Sequence, residues 1–143
     1  MLLAYPVALS RDRDGSMIAE FPDVPEALTN GRDADNAVDW AQDALVVALS
    51  AYVEAGRDIP HPSRPRRNQR MVPVPPMAAA KLAIYQAMRD RGVTQVALAE
   101  RLGVDGRQIR RLLDLDHNST LPQLAAALAA LGKRLVLDVR DAA

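Results

Sequence analysis

The sequence predicts an α+β chain in two parts, a small sheet crossed by one helix and then an all-α module. Three observations lead there. Apolar and β-branched runs broken by turn residues fill the first thirty positions, apolar residues recur at helical spacing in five later segments, and six prolines from Ile59 to Pro76 separate the two regimes. The 143 residues are 49% apolar, enough to bury the core of one ordinary domain or of two very small ones. Aromatic residues make up only 3%, so packing must rest on Leu, Val, Ile and Ala.

Residues 1–10 and 16–21 read as the two strands of a hairpin, with Asp12, Asp14 and Gly15 supplying the turn between them. Pro22 and Pro25 break the second strand, residues 27–29 suit a short third one, and Asn30-Gly31 turns the chain again. Over residues 33–55 the spacing becomes helical. Val38, Ala41, Leu45, Leu49 and Tyr52 share one face while Trp40, Ala44, Val47 and Ala51 lie nearly opposite, which predicts burial on more than one side. Asp33 or Asp35 is a suitable N-cap, and Gly56 a suitable stop.

Residues 59–76, with six prolines and four arginines, cannot hold a regular helix and read as a connector, although residues 71–74 suit an edge strand. The expected domains are therefore 1–75, connector included, and 76–143. The second opens with a helix over residues 77–91 that carries Leu82, Tyr85 and Met88 and ends at Gly92.

Residues 94–113 fit a helix-turn-helix position by position. Thr94 caps the first helix, Ala99 is small where the helices cross, and Gly103 takes the positive φ of the turn. Leu98, Leu102, Ile109 and Leu112 point to the core, and Asp105 caps the second, recognition helix. Gly106, Arg107, Gln108, Arg110 and Arg111 then lie at its exposed N-terminal end and outer face. Arg pairs bidentately with guanine and Gln with adenine, so Arg107 and Gln108 are assigned to bases. Gln95, Arg110 and Arg111 go to phosphates or a mixed role, and Thr94 is counted with them among the DNA-binding residues. An amphipathic helix pair with solvated arginines is the plainer reading of the same spacing.

A further helix over residues 121–131 buries Leu124, Leu128 and Leu131 and ends at Gly132. Residues 133–139 then read as a strand with no neighbour in a helical module. A lone strand is an unpaired edge, so Leu135, Val136, Leu137 and Val139 are expected to pair with a second copy of the chain. The resulting homodimer, or higher homo-oligomer, would hold two recognition helices about 34 Å apart on palindromic DNA.

Formal net charge is zero, yet residues 1–63 hold four arginines against eleven acids and residues 64–143 hold fourteen basic residues against seven. Balances of −7 and +7 suit partners of opposite charge, a basic protein for the first half and nucleic acid for the second. Within the acidic half, Asp35, Asp39 and Asp43 repeat at i, i+4, at a cost of about 0.2–0.5 kcal/mol per like-charged pair. A basic partner would relieve that cost; a solvated acidic face accounts for the stripe equally well.

Taken together, these residues resemble the HicB-type antitoxins, in the long form with a C-terminal helix-turn-helix of the phage-repressor class. In the first half the resemblance rests on Asp14-Gly15, Phe21-Pro22-Asp23-Val24-Pro25, Thr29-x-Gly31, an Ala-rich helix followed by Tyr52, and Ile59-Pro60-x-Pro62-Ser63. In the second it rests on Lys81-Leu82, on Leu98 through Val104, and on Ala127-Leu128-x-x-Leu131-Gly132-Lys133-Arg134-Leu135. It implies an N-terminal fold like a truncated ribonuclease-H domain that binds a HicA toxin. Such a toxin has a double-stranded-RNA-binding fold and cleaves messenger RNA with a histidine that the antitoxin covers. The helix-turn-helix would bind the operator of its own operon and repress it. Toxin contacts are then expected at Asp23, Glu26, Asp35, Asp39 and Asp43, with Glu26 standing where the family usually has glycine.

Other chemistries find little support. No cysteine is present, which excludes disulfides and thiolate metal sites and agrees with a reducing cytoplasm. The chain shows neither a secretory leader nor the ~18-residue apolar run of a membrane span. Asp12, Asp14, Glu20 and Asp23 are the candidates for a two-metal nuclease site, but the first two sit where turns favour Asp. His61 and His117 lack ligand-spaced companions, and no phosphate-binding glycine loop occurs. The chain reads as a non-enzyme without cofactor or metal. The competing class is a stand-alone transcription regulator whose N-terminal domain senses a small molecule.

Overall fold

The computed structural model describes residues 3–142, and its contacts divide the chain into Met1–Ala79 and Ala80–Ala143. In the first unit, β1 (Ala4–Arg11), β2 (Met17–Glu20) and β3 (Leu28–Gly31) form a meander that precedes α1 (Ala34–Glu54), and β4 (Gln69–Pro73) returns beside β1. The sheet order is β3-β2-β1-β4, antiparallel throughout. Between β1 and β2 the turn closes as its residues dictate. Asp14 accepts from Ser16 N at 2.8 Å and Asp12 from Arg13 N at 2.8 Å, while Gly15 adopts φ +87°.

Strand register assigns the faces. Tyr5 lies opposite Val72 and Leu9 opposite Ala19, so Tyr5, Val7, Leu9, Ala19 and Val72 share the side on which α1 packs. Tyr5, Val7, Ala19 and Val72 are enclosed there with Ala37, Ala41, Leu45, Leu49 and Tyr52 of the helix. Asp33 caps α1, accepting from Asn36 N at 2.8 Å. The opposite helix stripe is not buried as its apolar residues suggest: Trp40 is 54% and Val47 71% exposed. One sheet face is all that the helix has to bury against, so a second apolar stripe is left outside.

Three further sequence expectations change. Asn30 and Gly31 extend β3 and pair with Ile18 and Met17 instead of forming a turn. The proline-rich segment is a fixed part of the first unit, because prolines exclude a helix but leave carbonyls and side chains free for long-range bonds. Tyr5 Oη donates to Pro60 O at 2.7 Å, Ser63 N and Oγ donate to Asp23 Oδ2 at 2.9 and 3.0 Å, and Ile59 is buried. β4 forms the sheet edge at 69–73, displaced from the expected 71–74.

The Tyr5–Pro60 clasp has a measurable consequence. Burial, reinforced by Asp23 and Tyr52, pushes the Tyr5 hydroxyl up to about 12, whereas in the unfolded chain it ionises near 10. The unfolded state therefore loses its proton first as pH rises. Stability that is intact below about pH 10 is lost progressively on the way to about pH 12. Urea unfolding followed by Trp40 fluorescence should show that decline, and Tyr5→Phe should remove most of it.

α2 (Pro76–Arg91) begins in the last residues of the first unit and continues into the second, where α3 (Gln95–Leu102), α4 (Gly106–Leu113) and α5 (Leu121–Ala130) follow. The glycines after α2, α3 and α5, Gly92, Gly103 and Gly132, have φ of +64°, +65° and +73°. Leu82, Ile84, Leu98, Ile109, Leu124 and Leu131 form the centre of the core. Residues 133–142 form no strand in the single chain; the strand expected over 133–139 is one paired with a second copy. A strand needs a neighbour to take its ladder hydrogen bonds, and none is offered among the described residues of one copy.

Candidate nucleic-acid and protein interfaces

The helix-turn-helix is built by its caps. Thr94 Oγ1 accepts from Ala97 N at 3.0 Å, and Asp105 Oδ1 accepts from Gln108 N at 2.9 Å, so each helix begins where its side chain satisfies an orphan amide. Between them Gly103 takes the left-handed conformation that lets α4 turn back on α3. Leu98, Ile109 and Leu112 are buried and Leu102 half-buried. This packing leaves Gly106, Arg107, Gln108, Arg110 and Arg111 exposed along α4, and Thr94 and Gln95 exposed at the start of α3. The result is a short helix with one apolar edge locked inward and three arginines outward. Arg101 is different, since its Nη1 donates to Ala130 O at 3.1 Å and closes the end of α5. His117, half-buried, lines a cavity of about 290 Å³ with Gln108, Arg111, Ser119 and Gln123.

The five acidic candidates in the first unit separate into two groups. Asp23 is held by Ser63. Glu26 accepts from Tyr52 Oη at 2.8 Å and pairs with Arg57 at 3.6 Å, with the Arg57 guanidinium 4.1 Å over the Tyr52 ring. Hydrogen bonds from its own backbone and from Tyr52 hold the Glu26 carboxyl below its ordinary range. Burial, then Glu26, push the Tyr52 hydroxyl up. A glycine at this position would leave Tyr52 and Arg57 without that acceptor, so Glu26 makes an internal clasp. Asp35 pairs with Arg70 at 3.2 Å.

Asp39 and Asp43 are exposed, and no basic side chain engages them among the described residues. Helical spacing sets them beside Trp40 and Val47. Their stripe on α1 therefore joins two carboxylates to an apolar ridge, a composition that fits a partially basic protein surface. The sequence singles out the carboxylates, but it places Trp40 and Val47 in the core; helical periodicity cannot distinguish a second buried face from a docking face.

No group of three or more metal-ligating side chains occurs among the described residues, and Asp12, Asp14 and Asp23 serve the backbone and Ser63 as above. No helix among the described residues is long and apolar enough to cross a membrane. Among the tail candidates Leu135 is half-buried, while Val136, Leu137 and Val139 are 71%, 66% and 95% exposed.

Comparison with known proteins agrees across almost the whole length. The family profile described as HicB_like antitoxin of bacterial toxin-antitoxin system matches residues 4–83. A Photorhabdus laumondii protein named Antitoxin HicB 2 is 39% identical over 135 residues, covering 94% of this chain and 95% of that one. Antitoxin HicB of Escherichia coli is 36% identical over 135 residues, 94% and 98% of the two chains. A Pseudomonas fluorescens protein of the same name is 33% identical over 132 residues, 92% and 90%. All three of these relatives are named antitoxins.

Proposed function

This chain belongs to the HicB-like antitoxins of bacterial toxin–antitoxin systems, and from that membership we propose that it neutralises a basic, HicA-like toxin that cleaves messenger RNA and represses the operon encoding both proteins. The observation that carries the reading is likeness to proteins named antitoxins along nearly the full chain, the second unit included. The ribonuclease-H-like reading of the first unit rests on three meandering strands followed by a helix across one face.

Toxin capture falls to the outer stripe of α1. Asp39 and Asp43 supply charge for a cationic partner, and Trp40 supplies the large rigid anchor that dominates interface energetics. Asp23, Glu26 and Asp35 act indirectly, since their carboxylates are already used within the chain. Operator binding falls to α4 and the start of α3, with Arg107 and Gln108 on bases and Thr94, Gln95, Arg110 and Arg111 on phosphates. Gly106 lets the DNA backbone approach the start of the helix. A homodimer joined through residues 133–139 would match a palindromic operator.

Co-expression with the adjacent small reading frame, followed by purification through a tag on this chain, tests the reading. The second protein is expected to co-elute and lose its toxicity. Trp40→Ala, at a position where the free chain loses little, is expected to weaken the complex at least about thirtyfold by calorimetry. Absence of a co-eluting partner, or toxicity undiminished in its presence, would remove the antitoxin assignment.

A further inference from the structure

Lys81 lies in α2, away from the exposed face of α4, and is 0% exposed. Among the described residues it and Ser119 are the buried polar side chains. Its Nζ donates to Arg111 O at 2.6 Å and to Ser119 Oγ at 2.9 Å. Arg111 is in the last turn of α4, where its carbonyl otherwise receives only a long bond, 3.3 Å, from Asp114 N. Ser119 immediately precedes Thr120, whose side chain caps α5. One ammonium thus fastens the end of the recognition helix and the start of the next to a third.

That arrangement is costly. Burial disfavours the charged amine and pushes it below the usual lysine range, with Asp114 opposing the shift. An aliphatic side chain would fill the space without a desolvation penalty, but it would offer no directional bond to the Arg111 carbonyl. Direction matters because α4 is only eight residues long, about 12 Å at 1.5 Å per residue. A tilt of roughly 10° about its C-terminal end would carry its N-terminus about 2 Å, several times the ~0.5 Å tolerance of a productive contact geometry. Flexible arginines on phosphates would follow such a shift, whereas paired base contacts would not.

We propose that Lys81 is a positioning residue for the recognition helix, setting through Arg111 O and Ser119 Oγ the angle at which Arg107 and Gln108 meet base edges. It governs discrimination between operator and other DNA, and leaves general attraction to DNA untouched. The inference rests on the operator-binding reading above.

Fluorescence anisotropy on the full chain, at one fixed salt concentration, provides the test. The probes are a duplex carrying the promoter-proximal sequence that the wild-type protein protects from cleavage and a scrambled duplex of equal length. Lys81→Met is expected to weaken operator binding at least tenfold, to leave scrambled-duplex binding within about twofold, and to keep the salt slope. Ser119→Ala should shift the ratio in the same direction by a smaller factor, and it decides the matter if Lys81→Met fails to fold. A merely structural lysine would lower both affinities together, in proportion to the folded fraction. An unchanged operator-to-scramble ratio in the folded variants overturns the inference while leaving operator binding intact. A wild-type protein that prefers no sequence removes the operator reading itself, and this inference with it.

Discussion

Replacing Gly31 with alanine is expected to cost the first unit more than about 3 kcal/mol, enough to unfold a small sheet-and-helix domain at ordinary temperature. The reason is space. A Cβ at Gly31 would lie 2.7 Å from Ala37 Cα and 2.8 Å from Asn36 C, and nearer still to Ala37 N. All three are backbone atoms of the first helical turn, so no rotamer change relieves the clash. Nor can the turn move easily, because Arg32 N donates to Asn36 Oδ1 at 3.1 Å, Asp33 caps the helix, and Ala37 is fully enclosed. Gly15→Ala is the control: its φ of +87° costs an L-residue about 1 kcal/mol, but no atom lies within 4 Å of the added carbon. Urea unfolding of the two variants should differ by at least 2 kcal/mol. On the proposed division of labour, Gly31→Ala also abolishes toxin neutralisation and spares operator binding. A Gly31→Ala protein as stable as its Gly15→Ala counterpart would contradict the close approach of β3 to α1.

Such short-range devices were the legible part of this sequence. Asp33, Thr94 and Asp105 announce helix starts and Gly56, Gly92, Gly103 and Gly132 announce helix ends because caps and stops depend on residues within one turn. Features decided by distant partners were hidden. Composition marks residues 59–76 as non-helical, yet nothing local says that Pro60 accepts from Tyr5 or Ser63 donates to Asp23, forty and more positions away. Asn30-Gly31 has turn chemistry, but pairing with β2 and the need to pass close beneath α1 hold it extended. Lys81 enters the sequence reading only as part of the family resemblance; nothing local marks it as buried, since a helical lysine is ordinarily solvated. Among the site residues, the exposed face of α4 follows directly from the caps. The docking face of α1 does not, because an apolar residue has the same letter whether the sheet or another protein covers it.

On the proposed dimer and operator reading, substituting lysine at both Leu137 and Val139 is expected to leave the protein a monomer and to weaken operator binding at least about a hundredfold. Paired as a strand, the tail would put alternate residues on one face, so Leu135, Leu137 and Val139 would form an apolar row. The last two are 66% and 95% exposed in the single chain. Exposed apolar side chains on a segment with no ladder partner are relieved by pairing with the same segment of a second copy, which satisfies the backbone and buries the row on both sides. Two opposed lysine pairs would make that pairing repulsive. Loss of the dimer turns one bivalent encounter into two separate ones, and the second half-site then forfeits its effective-concentration gain, about a hundredfold or more. The number of phosphates neutralised per binding event halves as well, so the slope of log affinity against log salt should fall to about half. Light scattering gives the first result and anisotropy titrations the second. Toxin binding per chain, assigned to α1, should be unchanged. If the double variant remains a dimer with full operator affinity, self-association lies elsewhere on the molecule and residues 133–139 play no part in it.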